Sequence, residues 1–335
     1  MIDKKMGGQT AVFSTPPVVL AHGNIVGHKE GQGPLASYFD EVGSDDHFGE
    51  KSWEKAERAM QERALANALL HAGKSDEDLD FLLAGDLLNQ CISSAFAARA
   101  RKIPFLGLYG ACSTMGESLL LAAMLIDAGF GELAAAVTSS HFCTAERQYR
   151  APLEYGGQRP PTAQWTVTGS GCVILSDCGN GAKITHATVG KIVDKGITDA
   201  NNMGAAMAPA AYDTLCAHFR DTGRSPSDYD LIATGDLGKL GHEIVRDFFA
   251  RDGIRMNNYT DCGMLIYDLE KQDVHCGGSG CGCAASVLTG YLLPQLETQK
   301  YKRILFCPTG ALLSPTSTQQ GESIPSICHA ISIEM

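Results

Sequence analysis

The sequence predicts an α/β protein made of two similar halves, and three observations carry that prediction. A segment of fifteen residues, 73–87, returns as residues 223–237. Runs with helical and with strand-like apolar spacing alternate around each copy. A turn rich in glycine and cysteine follows each copy, at 110–116 and at 280–286.

The repeat keeps a constant offset (223 − 73 = 150). Gly73, Ser75, Asp78, Asp80, Gly85, Asp86 and Leu87 recur as Gly223, Ser225, Asp228, Asp230, Gly235, Asp236 and Leu237, and Lys74 becomes Arg224. Seven identities in fifteen positions are too many for a chance pairing of common turn residues. A helix-like stretch precedes each copy, at 53–71 and 210–220, and each copy enters a short apolar run, 81–84 and 231–234, typical of a buried strand. After the glycine-cysteine turns come helical runs at 117–128 and 287–296, then buried strands at 133–138 and 303–307. Strands that alternate with helices indicate a mostly parallel sheet covered by helices. Residues 165–175 close the first half as a strand, and the turn-rich stretch 177–181 divides the chain into halves 1–180 and 181–335. Residues 141–162 read as a long loop, a kind of segment that often carries function.

Hydrophobic residues make up 44% of the 335, enough for a sizeable core. The formal net charge of −11, without any local Lys/Arg run, argues against nucleic acid as a partner. Most of the 12 cysteines sit in apolar runs, so buried free thiols in a reducing, intracellular compartment are expected. Residues 1–6 lack the apolar core of a signal peptide. The longest apolar run, 119–126, stops at Asp127, far short of the roughly 18 residues of a span. Membrane contact is therefore expected to be peripheral.

Cys112 stands in a tight turn before an apolar helix. There the free N–H groups and the helix dipole favour an anion and would lower a thiol pKa. The other reading is a small buried side chain filling core space. His141 follows the strand 133–138 and is either a polar ligand group or a solvated loop histidine. Arg147, Arg150 and Arg159 could grip carboxylates in pairs of hydrogen bonds, or could be solvated. Asp86 and Asp236 end equivalent strands, and either face each other or serve as turn and cap residues. The spacing of Cys276, Cys281 and Cys283 is not a usual zinc pattern, and no metal is expected.

The segment 109–114 around Cys112 and the glycine-rich strand 166–175 resemble the thiolase and ketoacyl synthase superfamily, most of all its ketoacyl synthase III branch. The resemblance covers about residues 10–335. It implies two pseudo-symmetric βαβ halves in a five-layer αβαβα sandwich, a homodimer, and Cys112 at the nucleophile position. The chain departs from that pattern where a condensing enzyme needs its partners. Gly235 and Asp236 stand where the catalytic histidine would be, and Cys281 aligns with the second partner. His242 lies about two helical turns beyond. A thiol without a base and an oxyanion site has no route to turnover, so no catalytic residue is expected and Cys112 reads as vestigial.

These departures, with segments 8–13, 81–90, 233–238 and 275–283, resemble a sporulation branch of the superfamily. That resemblance implies a non-enzymatic protein that binds dipicolinic acid (pyridine-2,6-dicarboxylate), free or as its calcium chelate, during spore loading and release. It implies no cofactor, and as partners the membrane proteins of the stage V sporulation A set. Its place would be the forespore and spore, at the periphery of the inner membrane. The ligand site then falls to Cys112, His141, Asp86, Asp236 and Cys281. The alternative is an acyltransferase or condensing enzyme that uses Cys112 on acyl-CoA.

Overall fold

The computed structural model describes residues 4–150 and 156–335. Residues 1–3, and 151–155 within the expected 141–162 loop, lie outside the described residues.

The first half contributes β1 (Val18–Val26), β2 (Phe81–Gly85), β3 (Phe105–Gly107), β4 (Leu133–Ser140) and β5 (Gly169–Ser176). The second contributes β6 (Lys183–Thr188), β7 (Leu231–Thr234), β8 (Tyr259–Asp261), β9 (Arg303–Cys307) and β10 (Ala330–Glu334). Their spatial orders are β3-β2-β4-β5-β1 and β8-β7-β9-β10-β6, the same order in both halves. The two arrays meet at a single residue pair, Val18 of β1 opposite Lys183 of β6. Two short strands, Lys5–Met6 and Thr10–Val12, complete the sheet, and the second of them pairs with β6.

The sheet is mixed, not mostly parallel as the alternation of elements suggests. Within each half the outer three strands are parallel, and the next two couplings are antiparallel. Only connections that cross the sheet with a helix return the chain in the same direction.

Helices α1 (Trp53–Ala72), α2 (Thr114–Asp127), α3 (Phe142–Tyr149), α4 (Met203–Thr222), α5 (Gly238–Arg251) and α6 (Cys281–Val287) complete the frame. A π turn, Leu288–Leu292, and a further turn, Leu293–Glu297, prolong α6. Ala56, Met60, Ala64, Leu65 and Ala68 of α1 pack on Ile25, Leu82, Ala135 and Ile174. Met207, Ala211 and Leu215 of α4, with Phe249 of α5, pack on Ile232, Leu305 and Ala330. Between the two arrays, Met115 and Leu119 of α2 share one core with Leu288 and Leu292, Val173 and Leu175, and Ile304 and Ile333. The stack is helix, sheet, helix, sheet, helix, the five-layer sandwich. The expected loop 141–162 is instead a helix over its first third, because α3 is anchored by side chains and not by an apolar stripe.

The repeated residues are mostly folding signals. Gly73 and Gly223 end α1 and α4 with φ of 63° and 68°, a left-handed turn that glycine enters without strain. Ser75 with Asp78, and Ser225 with Asp228, form identical capping boxes, each with the serine N–H 2.7 Å from the aspartate. Asp80 accepts the N–H groups of Glu132 and Leu133, and Asp230 those of Lys302 and Arg303, tying the starts of β4 and β9 to their neighbours.

Candidate binding cavity

The repeat diverges at Asp86 and Asp236, and there the site begins. Asp236 is fully buried beyond the end of β7. Its carboxylate accepts from Thr309 Oγ1 at 2.8 Å, Ser279 Oγ at 3.0 Å and Gly280 N at 3.2 Å. The Cys112 thiol lies against the same carboxylate. Burial pushes the Asp236 carboxyl up to about 7, and these donors only partly restrain it.

Cys112 reaches this position through a strained turn. Ala111 before it has φ of 51°, uncommon for a residue with a Cβ. Thr114 Oγ1 donates to Ala111 O at 2.6 Å and Ser113 Oγ to Gly110 O at 2.7 Å, which fixes the turn against the start of α2. Gly310 of the second half packs so tightly on it that a Cβ there would fall 2.2 Å from Gly110 O. The sequence leads one to expect a lowered thiol pKa at this helix start. The structure reverses that expectation: burial, then the Asp236 carboxylate, raise the thiol well above its ordinary value. Loss of water and a neighbouring negative charge outweigh the helix dipole.

Cys281 opens α6, the pseudo-symmetric counterpart of α2, and packs with Cys112, Leu87 and Ala145. Its thiol donates to Ser139 O at 2.9 Å, and burial raises its pKa. Cys283 donates to Gly235 O and Cys276 to Pro161 O, so the three thiols point to separate carbonyls.

Asp86 does not mirror Asp236. It accepts from Leu88 N, Ser94 N and Ser94 Oγ at 2.6–2.9 Å, a turn and cap role. Burial raises its pKa, and the adjacent buried Glu57 is raised by burial and by Asp86. His141 is fully buried and does not line the cavity. Its Nδ1 accepts from Cys143 N at 3.1 Å as the cap of α3, and its Nε2 lies 2.8 Å from Asp46 O, so both nitrogens are occupied. His242 stacks on Tyr259 and lies off the cavity too.

The cavity lies between the halves and is slim, about 50 Å³. Leu87, Tyr109, Cys112, Ala145, Tyr149, Arg150 and Thr166 line it from the first half, and Met203, Ser279, Ala311 and Leu313 from the second. The Tyr109 and Tyr149 hydroxyls are 2.9 Å apart, and Tyr149 also donates to Leu87 O. Arg150 pairs with Glu146, and burial and then Arg159 lower its pKa to about 10. Of the three arginines singled out in the sequence, only Arg150 lines the cavity. Arg147 pairs with Glu54, and Arg159 with Asp273. Tyr109, Tyr149, Met203 and Ser279 line the cavity without having been singled out in the sequence. Tyr109 and Ser279 adjoin the Cys112 and Cys281 turns, a proximity that could have flagged them, whereas Tyr149 and Met203 carry no local signal.

An α/β sandwich of two alike halves, with a buried cysteine at a helix start between them, defines a thiolase-like fold. Among solved structures it is similar to 3-oxoacyl-[acyl-carrier-protein] synthase III from Aquifex aeolicus VF5, with a TM-score of 0.62 and 11% identity over 95% of this chain and 100% of that one. It is similar also to an OleA variant from Xanthomonas campestris, with a TM-score of 0.64 and 11% identity over 97% and 98%. Identities so low speak for the fold alone. Residues 7–334 match the family model of stage V sporulation protein AD. The stage V sporulation protein AD of Bacillus subtilis (strain 168) is 50% identical over 332 residues, 99% of this chain and 98% of that one. The chain belongs to the stage V sporulation protein AD family.

Proposed function

We propose that this chain is a non-catalytic binding protein for dipicolinic acid, acting with membrane proteins of the stage V sporulation A set in loading and emptying the spore. The observation that carries the reading is the Cys112 thiol buried against the buried Asp236 carboxylate, which together keep it protonated. A condensing enzyme needs a thiolate and a base that gives its proton back, and a buried carboxylate already holding three donors provides neither. What remains is a cavity with two tyrosine rings, one guanidinium and the hydroxyls of Thr166 and Ser279, groups suited to a flat aromatic carboxylate. At about 50 Å³ the cavity admits the ring only once its walls part, and Arg150 must exchange Glu146 for the ligand. The net charge of −11 opposes a dianion at long range, so moderate affinity is expected. Among the described residues no helix is long and apolar enough to cross a membrane, and the proposed place at the forespore inner membrane is peripheral.

Calorimetry with dipicolinate and with picolinate, its monoacid analogue, tests the reading. Tighter binding of dipicolinate, weakened about tenfold or more by Arg150→Gln, is expected. Equal affinity for both would mean that the second carboxylate is not recognised. Absence of heat with either, together with sustained CoA release from acyl-CoA that Cys112→Ala abolishes, would replace the binding protein by an enzyme.

A further inference from the structure

Trp165 and Thr166 form a short strand that pairs with Gly278–Ser279. Thr166 and Ser279 line the cavity, while the Trp165 ring lies against Phe142, with centroids 3.7 Å apart and planes at 6°. Phe142 fills one face of the indole. Two cations share what is left: Lys29 Nζ is 4.0 Å and the Arg159 guanidinium carbon 4.6 Å from the ring centroid. Cations favour such a face, but two of them side by side repel each other. Lys29 registers the cost, its pKa lowered by burial and then by Arg159.

Little negative charge answers them. Asp273 accepts from Arg159 through its carbonyl at 2.8 Å, pairs with it through its carboxylate at 3.2 Å, and accepts from Lys29 at 3.4 Å. That carboxylate is 78% exposed and is also 3.4 Å from His275 Nε2. Glu30, next to Lys29, is turned inward, its Oε1 accepting from Tyr267 and Thr168, and burial pushes its carboxyl up to about 7. The Arg159 Nη1 is buried and has no hydrogen-bond partner among the described residues. A guanidinium with a free, desolvated nitrogen is half of a fork that fits a carboxylate.

We infer that Lys29 and Arg159, held on Trp165, form a second anion subsite beside the cavity, which takes one carboxylate of a small aromatic acid. The inference rests on the reading of the cavity as a dicarboxylate site and adds a place where the acid is held before or while it enters. The subsite adjoins the cavity: Trp165 precedes the cavity-lining Thr166 on one strand, and Arg159 is close enough to act on the charge of the cavity's Arg150.

The two tryptophans, Trp53 and Trp165, make the test direct. In a Trp53→Phe background, Trp165 is the sole indole, excited on the red edge of its band where dipicolinate absorbs little. Dipicolinate should change its emission saturably, with an affinity that falls as salt rises. Lys29→Gln and Arg159→Gln should each weaken that affinity by roughly tenfold and flatten its salt dependence, and Arg159→Lys should keep part of it. Unchanged affinity and salt dependence in both glutamine variants would overturn the subsite and leave the cavity reading standing. If dipicolinate does not bind, benzoate supplies the single carboxylate: an emission change that depends on Arg159 upholds the subsite and removes the dicarboxylate reading. Silence with both acids overturns the two together.

Discussion

The Asp236 carboxylate takes its donors from Ser279, Gly280 and Thr309 and lies against the Cys112 thiol, and none of these is a cation. Its negative charge is thus one cause of the raised Cys112 thiol, and Asp236→Asn removes that cause while keeping the shape. Iodoacetamide should label Cys112 faster in Asp236→Asn than in the parent protein, by peptide mass spectrometry; an equal or slower rate would show that burial alone governs the thiol. The same carboxyl, raised to about 7, is neutral below that pH and charged above it. Affinity for dipicolinate should therefore fall as pH rises through 7, and Asp236→Asn should flatten the profile, measured by calorimetry across pH 6 to 8. At this scale the sequence was informative where chemistry sits on repeated elements. Cys112 and Cys281 stand at equivalent turns, Asp236 follows a repeated strand, and the three do come together. Tyr149 and Met203 escaped, because they arrive on segments that the repeat does not contain, whereas Arg150 was singled out only as one of three candidate arginines.

Among the elements, α3 is the one that sequence patterning could not supply. Its eight residues have no long apolar stripe and are fastened by side chains: Phe142 N donates to Thr168 Oγ1, Thr144 Oγ1 to Glu57, and Gln148 to Leu87 O. His141 caps it, so His141→Ala should cost about 1–2 kcal/mol of stability in thermal unfolding. Any loss of ligand affinity in that variant should come through α3 and not through a lost direct contact. A large affinity loss with unchanged stability would put His141 back in the site. The paired capping boxes behave differently. They lie far apart, so Ser75→Ala and Ser225→Ala should each cost about 1 kcal/mol and should add in the double variant. The mixed strand direction was not legible either, since helix-strand alternation says which elements exist and not at which end of the sheet the chain turns back.

For the molecule as a whole, buried carboxyls set the response to pH. Glu30 is fully buried, with its carboxyl raised from 4.5 to about 7. The unfolded chain releases that proton first, so this contribution is fully present below pH 4.5 and is lost as pH rises toward 7. The loss is roughly 3 kcal/mol. Denaturant unfolding at pH 5 and pH 8 should show stability falling with pH, and Glu30→Gln should reduce the fall; an unchanged fall would assign it to the other raised carboxyls, Asp236, Glu57 and Asp86. Assembly is the other property at this scale. The edge strand β3 leaves Phe105 and Leu106 exposed, near the exposed Ile92 and Phe96 of the preceding helix. An open apolar edge invites a second copy. Light scattering is expected to give twice the chain mass of 35.6 kDa at micromolar concentration, and a stable monomer would refute the dimer.

The seam between the halves has a thermal consequence. The two five-stranded arrays share one ladder pair, Val18 with Lys183, the short strands Thr10–Val12 and Trp165–Thr166 pair with strands of the second half, and α2 and the α6 segment bury their side chains against both arrays at once. Neither half can melt without exposing the core of the other. Scanning calorimetry should therefore record a single heat-absorption peak whose van't Hoff and calorimetric enthalpies agree per cooperative unit. Two resolved peaks would mean that each half keeps a core of its own, and that the middle layer divides along with the sheet.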